Sequence, residues 1–254
     1  GPSNYDAVWI FVKYQKVPTG SPNCESYQEW HHAKMTNVPA DFSTASPLEV
    51  VFVGDSMGIY LRRSADGIGN VSTTSVTIRL NLDVPVSPFD PELNFKIFGV
   101  EMVYVPQGDF ELGDGISTGT FNSIAITNTT TTLTAATVGG SVNATIPSSF
   151  PKGYSAFYLM KYEVTQQQYV DFLNCLTRTQ QNTRTATELG PGIGTVTNVF
   201  VMSNTTTPSY RNGIRCGTTI AANDPVTFYC DLNNNSVMNE NNDGHNLACN
   251  YLSW

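Results

Sequence analysis

The 254 residues carry 13 Lys and Arg against 21 Asp and Glu, a formal net charge of −8. That balance excludes a protein built to grip a phosphate backbone, which needs clustered basic charge. Only 13% of residues are charged while 40% are hydrophobic, so a core can form, and the polar surface falls to Thr, Asn, Ser and Gly. Such a composition favours strands and long polar loops over helices.

Residues 1–3, Gly-Pro-Ser, have the form of a tag remnant. Residues 4–97 are expected to form a β-sandwich-like domain. "YDAVWIFVKY", "LEVVFVG", "GIYLRR" and "SVTIRLNL" are β-branched and aromatic, with "SADGIGN" as a Gly-rich turn. None approaches the roughly 20 apolar residues of a membrane-spanning helix, so no membrane insertion is expected. His31 and His32 are adjacent and would point to opposite sides of a strand, which suits packing better than a shared metal. Gly54-x-Ser56-x-Gly58 matches a hydrolase nucleophile elbow. The elbow requires a helix after the turn, whereas "IYLRRSADG" reads as a strand, so a hairpin is expected. "VPVSPFDPE" (84–92), with three prolines, marks a domain edge.

Residues 98–254 are expected to form a second domain. The Thr-rich run 116–146 reads as a solvated hairpin or loop. "YEVTQQQYVDFLNCL" reads as a helix with Thr165 as N-cap and Gln168 completing a capping box. Tyr169, Phe172, Leu173 and Leu176 recur at helical spacing as its buried face. Residues 177–231 are expected to be irregular, and so long a stretch needs tying down by disulfides, metal or packing. The chain as a whole is expected to be mainly β with few helices.

"DLNNNSVMNENNDG" (231–244) is the strongest local motif. Asp231, Asn233, Asn235 and Asn239 place oxygen-bearing side chains at positions 1, 3, 5 and 9 of an EF-hand-like loop. Val237 at position 7 need offer only its carbonyl, and Met238 falls where such loops carry an apolar anchor. Ser236 replaces the turn glycine, Asn242 stands at position 12 in place of a bidentate Glu, and Asp243 lies one place later. A modest-affinity Ca2+ site is expected, with a self-satisfied Asn-rich turn as the competing account. Five cysteines leave at least one thiol unpaired within the chain. Cys216 and Cys230 bracket a loop and are a candidate disulfide, with Cys249 as the competing partner, while Cys175 is expected to be a packed thiol. Cysteine usage, low lysine and abundant Thr and Asn point to a secreted or cell-surface location.

Three blocks in order resemble the formylglycine-generating enzyme (sulfatase-modifying factor) domain, over residues 98–254. They are Met102, Val105, Pro106, Gly108, Phe110 and Gly113; then Tyr158, Glu163, Val164, Thr165, Tyr169 and Phe172; then Ser253 and Trp254. The resemblance implies a C-type-lectin-related fold, here lacking its C-terminal side, and 4–97 is similar to segments that accompany this domain in some bacterial surface proteins. Its oxidising members hold Cu+ with two late cysteines, which would lie beyond residue 254. Its iron-using relatives carry a histidine triad that His31, His32 and His245 do not supply. The expected function is therefore a secreted or surface bacterial binding or structural protein, stabilised by Ca2+, without a catalytic centre in these residues. Its partner would be a protein or glycan ligand, or a second chain or segment completing the domain. Two alternatives are a fragment of a formylglycine-generating oxidase and a display scaffold whose binding residues lie further along.

Overall fold

The computed structural model describes residues 6–16, 29–71, 75–82, 93–113, 122–130, 132–134, 145–238 and 240–252. The proline-rich segment expected as a domain edge, together with Cys24, Asn239, Ser253 and Trp254, lies outside the described residues. The first strands are β1 (Asp6–Lys16), β2 (His31–Met35), β3 (Leu48–Phe52), β4 (Ile59–Arg63), β5 (Leu80–Asn81) and β6 (Leu93–Val105). After them come β7 (Phe110–Leu112), β8 (Ile124–Ile126) and β9 (Phe157–Met160). Among the described residues no helix is long and apolar enough to cross a membrane.

β1 organises the main sheet. One edge pairs antiparallel with β6 along its whole length, from Asp6↔Val103 to Lys16↔Leu93. The other edge is shared, with β4 pairing over Ala7–Ile10 and β2 over Val12–Tyr14. β3 extends the sheet beyond β4, β5 beyond β2 and β9 beyond β6. Two partners leaving one edge curl the sheet around a core of Val12, Tyr14, Ala33, Met35 and Ile59. The domain expected at 4–97 is thus part of one curled antiparallel sheet. The boundary drawn between residues 97 and 98 falls inside β6, which bonds to β1 on one side and β9 on the other.

Alternation along β1 gives the sheet a second face. Phe11 stacks on Phe98 at 4.8 Å and on His32 at 5.7 Å, and Trp9 tilts onto Phe11. His31 points to the opposite face against Tyr14. The Gly54-x-Ser56-x-Gly58 run closes the β3–β4 hairpin, with Phe52 opposite Ile59. Gly58 is required there: a Cβ would sit 2.4 Å from Trp9 Nε1 and 2.8 Å from the Ile10 carbonyl.

His32 Nε2 bonds the Met57 carbonyl at 2.5 Å. Burial, the largest influence, lowers the His32 pKa from its ordinary 6.5, with Lys13 adding to the effect and Asp55 and the Met57 carbonyl opposing it. A lowered folded-state value means the unfolded chain binds the proton more readily. The stability contributed by neutral His32 should be complete above pH ~6.5 and lost as pH falls through the folded-state value. Urea midpoints measured from pH 7.5 to 5 should show this decline, and His32→Phe, which keeps the ring stack, should flatten it.

Beyond β9 the chain builds around helices α1 (Gln166–Leu173) and α2 (Arg178–Asn182). Thr165 and Gln168 form the expected capping box. The buried face of α1 is Gln166, Tyr169, Val170 and Leu173, with Phe172 and Leu176 packed at its margin. The core beneath it holds Leu189, Phe200, Val201, Ile214 and Phe228. α2 interrupts the stretch expected to be irregular, and its own capping box, Thr177 with Gln180, repeats the Thr-x-x-Gln spacing of α1.

Polar side chains tie down the long loops. Buried Arg178 donates to the carbonyls of Leu189, Ala221, Asp224 and Ile193. Gln181 and Asn174 bond the backbones of Val226 and Phe228 as a neighbouring strand would.

Candidate metal centre

β10 (Ile214–Arg215) and β11 (Tyr229–Cys230) form a short ladder that delivers the chain into the 231–243 loop. The Asp231 amide donates to the Gly213 carbonyl at 2.8 Å. A Cβ on residue 213 would sit 2.7 Å from the Leu232 backbone, so this approach requires glycine.

Asp231 is fully buried and its carboxylate winds the loop around itself. Oδ1 accepts from the Asn235 amide and Oδ2 from the Ser236 amide, both at 3.0 Å. Asn233 Oδ1 accepts from the same Asn235 amide at 3.0 Å, so the side-chain oxygens of positions 1 and 3 lie side by side. Asn235 Oδ1 in turn accepts from the Val237 amide at 2.8 Å. Asn234 and Ser236, at positions 4 and 6, have φ of 59° and 66°. The left-handed turn at position 6 is the one an EF-hand loop ordinarily gives to glycine. Here Ser236 makes it, its Oγ accepting from Arg215 Nη1 at 3.1 Å.

Asp243 closes the loop. It is fully buried, its Oδ2 accepts from the Glu240 backbone amide at 2.6 Å, and its Oδ1 is buried without a partner among the described residues. An unpaired buried carboxylate oxygen carries the full cost of its lost hydration. Asn242 is exposed, so the structure turns position 13 inward and leaves position 12 in solvent. Met238, expected as an apolar anchor, is 54% exposed; Leu232 and Leu247 instead flank Gly244 at the loop's base. Val237 is also exposed, and Asn239 lies outside the described residues.

Two residues that the sequence reading did not single out complete the site. Glu240 Oε2 accepts from the side-chain Nδ2 groups of Asn233 at 3.2 Å and Asn235 at 2.5 Å. Arg215 pairs with Asp231 at 2.6 Å, its guanidinium 5.2 Å from the Phe200 ring and 5.8 Å from that of Tyr229. Arg215 Nε is buried without a partner among the described residues. Asp231, Glu240 and Asp243 against the one guanidinium of Arg215 leave the loop with two excess negative formal charges. Nothing local in the sequence joins Arg215 to Asp231; Glu240 lay within the motif at a position that needs no ligand.

Gln166, at the start of α1, anchors the site from below. Its Oε1 accepts from the Gly213 amide and its Nε2 donates to the Arg211 carbonyl, both at 2.8 Å. The Gln166 and Gln167 amides donate to the carbonyls of Leu247 and His245. His245 thus contributes its backbone to the helix start.

Cys216 and Cys230, the candidate disulfide, are each a buried free thiol in this structure. Cys230 stands opposite Ile214 in the ladder, which leaves Cys216 offset by two residues from the position facing it. Cys249 is likewise a free thiol. Burial pushes Cys216 and Cys249 up to about 11 and Cys230 up to about 12. Among the described residues no three His, Cys, Asp or Glu side chains gather as a metal-binding group. The 231–243 loop instead gathers the side-chain oxygens of Asn233 and Asn235 beside the buried Asp231 carboxylate, each accepting from a backbone amide of the loop.

Comparison with family models, curated proteins and solved structures found no match.

Proposed function

We propose that residues 145–252 form a calcium-stabilised, loop-built binding or structural unit of a secreted or cell-surface protein, similar in kind to the formylglycine-generating-enzyme-like domain. The carrying observation is the 231–243 loop: an EF-hand-like winding around Asp231, left-handed turns at positions 4 and 6, and a buried Asp243 oxygen lacking a partner. Ca2+ supplies that oxygen with a ligand and offsets the two excess negative charges. A loop with few formal charges binds in the range of extracellular modules, roughly 10⁻⁴–10⁻³ M, where only the calcium outside cells fills it. What the unit offers a partner is its loops. Tyr210 and Tyr251, 80% and 44% exposed, stand with ring centroids 6.3 Å apart, and both have positive φ.

Melting temperature followed against CaCl2 tests the reading. At 5 mM Ca2+ and a Kd of about 0.1 mM, linkage gives about 2.3 kcal/mol of added stability. The midpoint should rise by several degrees, with magnesium much less effective. An unchanged midpoint at millimolar calcium would leave the loop as a self-satisfied turn.

A further inference from the structure

The β6–β1–β2 register places Lys96 directly opposite Lys13, and Lys13 directly opposite His32, so three basic side chains share one face in a row. The like charges of Lys13 and Lys96, directly opposite in the sheet, repel, and such a pair is unexpected in a chain of net charge −8. Both lysines are half-buried. They converge on the end of α1, where Lys96 Nζ lies 3.8 Å from Cys175 Sγ and 4.6 Å from the centre of the Trp30 ring. Among the described residues neither Lys13 nor Lys96 forms an ion pair. Asp171 and Asp55 act only at longer range, on Cys175 and His32 respectively. Among the described residues the acceptor that Lys96 meets is a thiol, that of Cys175. Burial outweighs the two lysines and raises the Cys175 pKa, so it stays protonated and gives no counter-charge. The C-terminal end of α1 contributes only the partial negative charge of a helix terminus. Phe11 and Phe98, stacked in the adjacent row, wall the site on one side.

We infer that Lys13 and Lys96, with Trp30 and the Phe11–Phe98 stack beside them, form a binding site for a small oxyanion, a sulfate, phosphate or carboxylate group. Two ammonium groups on adjacent strands can each donate to one such group. The aromatic rings favour an anion carried on a ring with an apolar face, as in a uronic acid, over the bare ion. This site is separate from the calcium loop and does not depend on it.

The test is thermal unfolding of the full chain in calcium-free buffer at constant ionic strength, with chloride, sulfate, phosphate or glucuronate as the anion. The wild type should melt higher in sulfate, phosphate and glucuronate than in chloride. Lys13→Gln and Lys96→Gln should melt at or above the wild type in chloride, because the repulsion is relieved. Each should weaken the apparent affinity for the oxyanion about tenfold, the loss of one charge-assisted hydrogen bond. Lys96→Arg should retain most of the response. A larger shift with glucuronate assigns the site to an anionic sugar, and equal shifts assign it to a free inorganic ion. Sulfate also stabilises proteins by exclusion from their surfaces, so a shift fully kept in both Gln variants overturns the proposal. So does a wild-type midpoint that is the same in all four anions, a result that does not require the variants to fold.

Discussion

Replacing Asp231 with Ala is expected to cost about 3–5 kcal/mol, the range for removing one partner of a buried ion pair. The carboxylate is fully buried and the Arg215 side chain is 9% exposed, so the guanidinium would be left charged and poorly solvated between two aromatic rings. The amides of Asn235 and Ser236 lose their acceptor at the same time. Asp231→Asn keeps the shape and can still accept from an amide, so it should cost less than Ala while still abolishing the calcium response. Urea unfolding with and without calcium separates these effects: the Ala variant lowers the midpoint in both conditions, whereas the Asn variant chiefly erases the difference between them. A full calcium shift in Asp231→Asn would remove position 1 from the ligand set.

Arg178→Ala should be comparably damaging, at about 3 kcal/mol or more. One guanidinium, 4% exposed, gathers carbonyls from Leu189, Ile193, Ala221 and Asp224. Its loss leaves several buried acceptors unpaired in segments that have little other regular structure. Arg178→Lys retains the charge but not the planar fork, and should recover only part of the loss. Amide hydrogen exchange gives the sharper readout. Protection should fall across residues 183–226, while the β1–β6 ladder, which Arg178 does not touch, keeps its own. Uniform loss across both would show that the two regions unfold as one unit.

The residues behind these two predictions differ in how far the sequence discloses them. Asp231 stood out as position 1 of an oxygen-rich loop, because loop ligands recur at fixed short spacing. Arg178 did not, although its helix announces itself by the same Thr-x-x-Gln capping pattern as α1. The pattern discloses the helix start, since a capping box closes within four residues. It says nothing of where an arginine within the helix will reach. Arg215 was invisible for a similar reason, since its partner lies sixteen residues on across the β10–β11 ladder. The face of α1 illustrates a smaller displacement. Periodicity indicated Phe172 and Leu176, but Gln166 and Val170 take the buried positions. Gln166 goes inside because two backbone groups, at Gly213 and Arg211, wait there for its amide, and hydrophobicity patterns do not register such a vacancy.

The sequence by itself determined what closes over a short span: the strands through side-chain alternation, the start of α1 through its cap, the β3–β4 hairpin, and the winding of the loop after Asp231. These depend on contacts a few residues apart, and residue type alone selects them. Tertiary structure decided everything that joins distant segments. It made β1 the shared centre of one curled sheet that runs through the expected domain boundary at 97–98. It turned Asp243 inward and Asn242 outward, and set Lys13 opposite Lys96 in the β1–β6 ladder. The physical reason is common to all of these. A buried polar or charged group is tolerated only where the rest of the fold supplies its partner, and which group that will be follows from packing rather than from neighbours in the chain.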